Sequence, residues 1–377
     1  MPTIFTRGAA SARGFGLFGG GPSNTGLWSW GGNNYGQLGL GNTTSFSSPK
    51  QVGALTTWSK VSGGYNQSFS IKTDGTLWSW GRNNNGQLGL GNTTNYSSPK
   101  QVGALTNWAT VSAGPYNAGA WGIAVKTDGT LWTWGANGLG QLGLGNYTAY
   151  SSPKQVGALT GWSAVSAGRI FSLAIKTNGT LWSWGANSFG QLGLGNTTTY
   201  GSPKQVGALT TWSKVSGGSN QSLAIKTDGT LWAMGYNGDG RLGLGDITNR
   251  SSPVQVGALT TWSAVVAGNN FSLAIKTNGT LWSWGANSSG QLGLGNTTSY
   301  SSPVQVGALT TWSIISRGNS ASFAIKTDGT LWSWGFNAGQ LGLGNATNYS
   351  SPKQVGALTT WSTISGAIGN FTLAIIT

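Results

Sequence analysis

The chain has 377 residues, of which 65 are Gly, 21 are Trp and only 7% are charged; 20 Lys and Arg against 6 acids give a formal net charge of +14. Glu, His and Cys are all absent, which removes most general acids, the commonest base and metal ligand, thiolate nucleophiles and disulfides. No apolar run reaches 18 residues, so no membrane-spanning helix is expected.

Residues 1–22 come first and differ in kind from everything after them. Phe5, Phe15 and Phe18, with Arg7 and Arg13, punctuate a stretch of small residues. Such a segment cannot bury a core of its own and would order only on a partner. It has no apolar h-region, so a secretory signal is not expected. We read it as a docking extension in front of a single domain over residues 23–377.

From residue 23 the chain repeats. The phrase Leu-Trp-Ser-Trp-Gly, or a close variant, starts at Leu27, Leu77, Leu131, Leu181, Leu231, Leu281 and Leu331, with one step of 54 residues and the others of 50. Gly-Gln-Leu-Gly-Leu-Gly follows each copy, with Arg241 replacing Gln in the fifth. A fixed period of this length marks a repeat architecture. Residues 209–258 illustrate the unit. Strand patterns start at Trp212, Ser222 and Leu231, and a fourth is expected over residues 254–259. Asp228-Gly229 separates the second from the third. Asp-Gly or Asn-Gly recurs at Asp74, Asp128, Asn178, Asn278 and Asp328, and predicts tight hairpins with both central residues at positive φ. The Ser-Pro before each fourth strand suits a sheet edge, where Pro loses no ladder bond. The fold class is therefore all-β: a seven-bladed β-propeller of four-stranded blades. The seventh hairpin has its halves at opposite ends of the chain. Residues 27–31 are expected to pair with 373–376 and close the ring, which removes exposed edges.

Thirteen Trp lie in the Leu-Trp phrase and seven end the Ala-Leu-Thr-x-Trp phrase. Such regularity assigns them to the core between blades. Trp121 stands apart, beside the inserted residues 114–120, and is a candidate for exposed contact. Lys72, Lys126, Lys176, Lys226, Lys276 and Lys326 precede the hairpins, and Lys50, Lys100, Lys154, Lys204 and Lys353 follow the Ser-Pro. They are dispersed, so a solvated rim is expected and nucleic acid is not the expected partner. The glycine phrase lacks the following helix and Lys-Ser/Thr of a phosphate loop. The Asn-x-Thr sequons read as turn chemistry. The fifth repeat carries Met234, Asp239, Arg241, Asp246 and Arg250. Asn237, Asp239 and Asp246 are too few to predict a cation site, and an Asp/Arg network is expected instead. No catalytic or metal site and no cofactor is expected.

The wording Leu-Trp-Ser-Trp-Gly-x-Asn-x-x-Gly-Gln-Leu-Gly-Leu-Gly resembles the repeat of the regulator of chromosome condensation (RCC1) family across residues 23–377. That resemblance implies a seven-bladed propeller with a split closing blade. The family's repeat often carries Cys and His before the Ala-Ile-Lys strand, and this chain has neither. The wording of residues 6–16 resembles N-terminal segments of tailed-bacteriophage virion proteins, which implies attachment through Phe5, Arg7, Arg13, Phe15 and Phe18.

The repeats differ mainly in two loops, one after Trp-Gly and one before the Ala-Ile-Lys strand. These give the partner-binding candidates Tyr35, Tyr65, Arg82, Tyr116, Trp121, Arg169, Phe171, Phe189, Tyr236, Asp239, Arg241, Phe271, Arg317 and Phe336. The expected function is a non-enzymatic bacteriophage virion protein, fibre-associated or capsid-decorating. Its expected partners are other virion proteins through residues 1–22 and a host-surface protein or glycan through the propeller, without membrane insertion. The alternatives are an RCC1-like intracellular regulator, acting in nucleotide exchange or chromatin binding, and a propeller-type enzyme inhibitor.

Overall fold

Short runs of alternating character, cut by glycine turns, can satisfy their backbones only by pairing with one another. In the computed structural model, which describes residues 26–116 and 119–377, they do so as 28 strands in seven antiparallel sheets of four. The docking candidates Phe5, Arg7, Arg13, Phe15 and Phe18 lie outside the described residues.

The first six strands define the plan. They are β1 (Gly26–Gly31), β2 (Phe46–Gln51), β3 (Trp58–Gly63), β4 (Gln67–Lys72), β5 (Leu77–Gly81) and β6 (Tyr96–Gln101). Strands β3 to β6 form one blade in simple order. The β3 counterparts, such as Trp108–Ala113 and Trp162–Ala167, touch one another from blade to blade around a closed circuit. They are therefore the inner strands, and β6 and its counterparts are the outer ones. We number the blades 1 to 7 by the Leu-Trp phrases. Blade 1 is built from both ends of the chain, in the order β2, β1, Phe371–Ile376, Trp361–Gly366. Its register runs from Gly26 opposite Ile376 to Gly31 opposite Phe371, so the ring closes where the sequence predicted.

The repeated phrase fastens six of the seven blades to the one before, blade 5 having Met234 in place of the bonding Trp. The Trp80 indole donates to the Gln37 carbonyl of blade 1 at 2.9 Å. Trp134, Trp184 and Trp334 reach Gln87, Gln141 and Gln291 in the same way, and Trp284 reaches Arg241. Trp30 closes the circuit on Gln340. A side chain at Gly39 would collide with the Trp80 indole at 2.8 Å, so the glycine makes room for the tryptophan of the next blade. Within a blade, Trp58 meets Trp78 edge-on at 6.0 Å, the offset geometry favoured by ring quadrupoles.

Three sequence expectations need correction. The fourth strand of the sample unit is Arg250–Gln255, upstream of the expected 254–259; Val256 is buried and residues 257–261 form the exposed connection to the next inner strand. At the hairpins only Gly has positive φ: Gly75 is at 77°, and among the described residues Asn370 alone departs from glycine in this respect. Gly75 N–H bonds to Lys72 O at 3.0 Å, a turn with one left-handed residue rather than two. Finally, the lysines before the hairpins are not a solvated rim. Lys72, Lys126 and Lys226 are buried, and Lys72 Nζ lies 3.8 Å from the Trp78 ring centre and 5.1 Å from that of Trp58. Burial lowers the pKa of Lys126, Lys176, Lys226 and Lys276, while the indole faces supply the compensating attraction.

Candidate functional site

Strands β3 and β5 run toward one end of the propeller, and β4 and β6 run back. Residues 64–66 and 82–95 therefore share one face, while the Asp-Gly hairpins and the connections between blades lie on the other. The two loops that vary between repeats are brought together on the same loop face. They bond directly, Arg82 N–H to Asn66 O at 2.8 Å and Tyr236 N–H to Asn220 O at 2.8 Å.

Basic residues divide between the faces. All five described arginines, Arg82, Arg169, Arg241, Arg250 and Arg317, are at the loop end of their blades, whereas every lysine lies in the half next to the hairpins. The loop-face arginines are organised across blade boundaries. The Arg82 guanidinium lies 5.0 Å from the ring of Tyr35 in blade 1, and that of Arg169 lies 4.7 Å from the ring of Tyr116 in blade 3. Phe189 of blade 4 meets Tyr236 of blade 5 edge-on at 4.9 Å, and Arg241 lies 4.7 Å from the same Tyr236. These contacts make aromatic-cation clusters at three junctions, with Arg169 and Phe189 exposed and Tyr35, Tyr116 and Tyr236 partly so. Tyr65 and Phe336 are also partly exposed on this face.

Blade 5 holds the expected Asp/Arg network. Arg241 pairs with Asp239, and Arg250 pairs with Asp246 four residues earlier. Arg241 is 6% exposed and donates to Asn269 O of blade 6 at 2.9 Å, so it fastens two blades and is not a free contact. Burial lowers its pKa, opposed by the hydrogen bond to Asp239. Asn237 is fully buried: it donates to the Asp246 carbonyl and accepts from Leu242 N–H. Its counterpart Asn33 holds the blade 1 loop with the same bonds, which accounts for the Asn that follows every Trp-Gly-x.

Three candidates are core residues. Trp121, Phe171 and Phe271 are 0% exposed, on strands that start at each of them. Their counterparts Gln67, Gln221, Ala321 and Phe371 are equally buried. This position varies because it fills the space between blades, and a glycine opposite makes room for it. A side chain at Gly114 would meet the Trp121 indole at 2.2 Å, and one at Gly168 would meet Phe171 at 2.2 Å. The structure begins each of these strands one residue earlier than the pattern starting at Ser222 implied, and variation at that first position read as loop variation. The segregation of arginine from lysine was legible, once strand direction is known.

Comparison with known proteins gives a consistent result. A family model described as an RCC1-like domain matches residues 122–375, and models of the regulator of chromosome condensation (RCC1) repeat match residues 26–71, 74–121 and 58–87. No curated protein matches the chain. Human WBSCR16 superposes with a TM-score of 0.82 at 20% identity, covering 93% of this chain and 100% of that one. Prp20p of Saccharomyces cerevisiae, described with its binding to Gsp1p and histones, gives 0.81 at 18% identity over 94% of this chain and 92% of that one. Yeast RCC1 (Prp20) in complex with Kap60 gives 0.80 at 18% identity over 99% and 96%. At these identities the structural likeness speaks for the fold.

Proposed function

The chain belongs to the regulator of chromosome condensation (RCC1) family, and from that premise we propose that it is a non-enzymatic protein-recognition propeller that binds an acidic protein surface through its loop face. The observation that carries this reading is the placement of all five described arginines on the one face where the repeats diverge, with a tyrosine beside Arg82, Arg169 and Arg241. Arginine and aromatic side chains dominate binding energy at protein interfaces. A rigid ring presenting varied loops suits recognition. Binding of proteins by the yeast relatives supports the same use here. Among those partners a small GTPase of the Gsp1p kind is favoured over histones, because a chain of charge +14 repels basic tails.

The test is binding to such a GTPase, with and without R82A/R169A, followed by salt titration and by release of its bound nucleotide. The reading expects binding that weakens at least tenfold in the double variant at unchanged thermal stability. Equal binding by both proteins would remove the loop face from the account. The virion reading keeps the wording of residues 1–22 as its support, and the family membership favours the regulator reading over it. Finding the protein on purified particles, and losing it on deletion of residues 1–22, would restore the virion role.

A further inference from the structure

The inner strands carry a second repeated device. Near the loop end of six of the seven a serine hydroxyl accepts an N–H from the next blade. Gly63 N–H bonds to Ser365 at 3.0 Å, Ala113 N–H to Ser62 at 3.0 Å, and Ala267 N–H to Ser216 at 2.9 Å. Ala167, Gly217 and Gly366 make the same bond to Ser112, Ser166 and Ser316. The seventh junction, between blades 6 and 7, breaks the pattern twice. Val266 stands where the serine would be, and Arg317 stands where the other six blades have Gly or Ala.

Arg317 does not fold back onto its own blade. Its guanidinium donates to Gly217 O of blade 5 at 3.2 Å, passing blade 6. Inner strands are the free edges that enclose the central channel. A side chain that joins the inner strands of blades 7 and 5 must therefore cross in front of blade 6, inside the channel mouth. No carboxylate among the described residues pairs with it: the acids of the loop face, Asp239 and Asp246, are held by Arg241 and Arg250. Burial pushes the Arg317 guanidinium down to about 10. The Arg317 side chain is partly exposed, and one carbonyl oxygen leaves most of the five guanidinium donors open to a ligand in the channel mouth.

We propose that Arg317 forms an oxyanion site in the channel mouth, taking a phosphate or carboxylate group between blades 5, 6 and 7. The planar guanidinium offers such a group two parallel N–H donors. Two further features supply donors around it. Ser216 uses its oxygen to accept N–H from Ala267 of blade 6, so its own proton remains to be donated. Asn319, Asn269 and Ser219 form a hydrogen-bonded chain over the same three blades. The site is distinct from the aromatic-cation clusters and does not depend on the identity of a protein partner.

Isothermal titration of the full chain with inorganic phosphate, and separately with acetate, in chloride buffer of matched ionic strength tests the assignment. One saturable site per chain is expected, and the anion that binds more tightly identifies which group the site takes. R317Q should bind at least tenfold more weakly, and R317K should bind more weakly than the native chain because it loses the planar fork. R82Q, altered on the same face outside the channel, should bind as the native chain does. Thermal unfolding without added anion should show R317Q close to the native chain, since the side chain is partly exposed, so that weaker binding does not reflect loss of the fold. Absence of saturable binding to either anion, equal binding by R317Q, or an equal loss in R82Q would each overturn the proposal. None of these results bears on the GTPase-binding test, so the two readings fail separately.

Discussion

Replacing Trp121 separates a core residue from a contact residue. The indole is 0% exposed and belongs to the buried cluster between blades 3 and 4 that includes Ile123, Leu142 and Trp184. Trp121→Ala removes the whole ring and leaves a cavity that the flanking sheets cannot close. Losses of this kind cost about 3–5 kcal/mol, which at about 2 °C per kcal/mol lowers the melting temperature by about 6–10 °C. Trp121→Phe behaves differently for two reasons. Phe already fills the equivalent place as Phe171, Phe271 and Phe371. The Trp121 indole N–H also has no acceptor, so the substitution removes a buried unsatisfied donor, a group that costs about 1–3 kcal/mol when left unpaired. That gain offsets the lost volume, and Trp121→Phe should lie within about 1.5 kcal/mol of the native chain. Thermal unfolding by circular dichroism, with urea titration as a check, measures both variants. A Trp121→Ala chain that unfolds as the native one does would refute the packing argument.

Three other predictions rest on the same geometry. Gly114→Ala should be strongly destabilising, because its methyl group would meet the Trp121 indole at 2.2 Å, whereas Gly318→Ala should be mild, since the nearest atom is Ala321 Cβ at 3.3 Å; melting temperatures compare them. Asp74, Asp128, Asp228 and Asp328 titrate below the usual carboxylate value, first through the Thr hydroxyl hydrogen bond and then the Thr N–H. Their contribution is complete above the unfolded value of 3.8 and is lost as pH falls through the lowered folded values. Replacing all four by Asn should flatten the melting temperature between about pH 5 and pH 2, as Asn178 and Asn278 already make the same bonds. Deleting residues 1–51 removes β1 and β2 and bares the edge of Phe371–Ile376. Light scattering should then show concentration-dependent association, and a monomer with a native melting curve would count against closure as the source of stability.

The repeated phrase determined the fold by itself. Its period set seven blades, its strand patterns set four strands in each, and the residues at the two termini set the closing pair. These features are local in sequence or repeat at a fixed distance, and hydrophobic pattern with turn chemistry is enough to specify them. The hairpin turns show the limit of that reading. Asp-Gly marked the right place, but the φ angle of the aspartate depends on the bond that closes the turn.

Only the tertiary structure decided the site, because a side chain at a strand end can face solvent or the next blade. Trp121, Phe171 and Phe271 sit beside variable loops and vary with them, yet each is enclosed by a sheet about 50 residues away in the chain. Lys72 reads as a surface charge until two indoles are found beneath it. Arg317 reads as one arginine among five until the ring brings Gly217, 100 residues earlier, within its reach. Which residues recognise and which pack is settled by contacts between blades, and no period in a single chain records them.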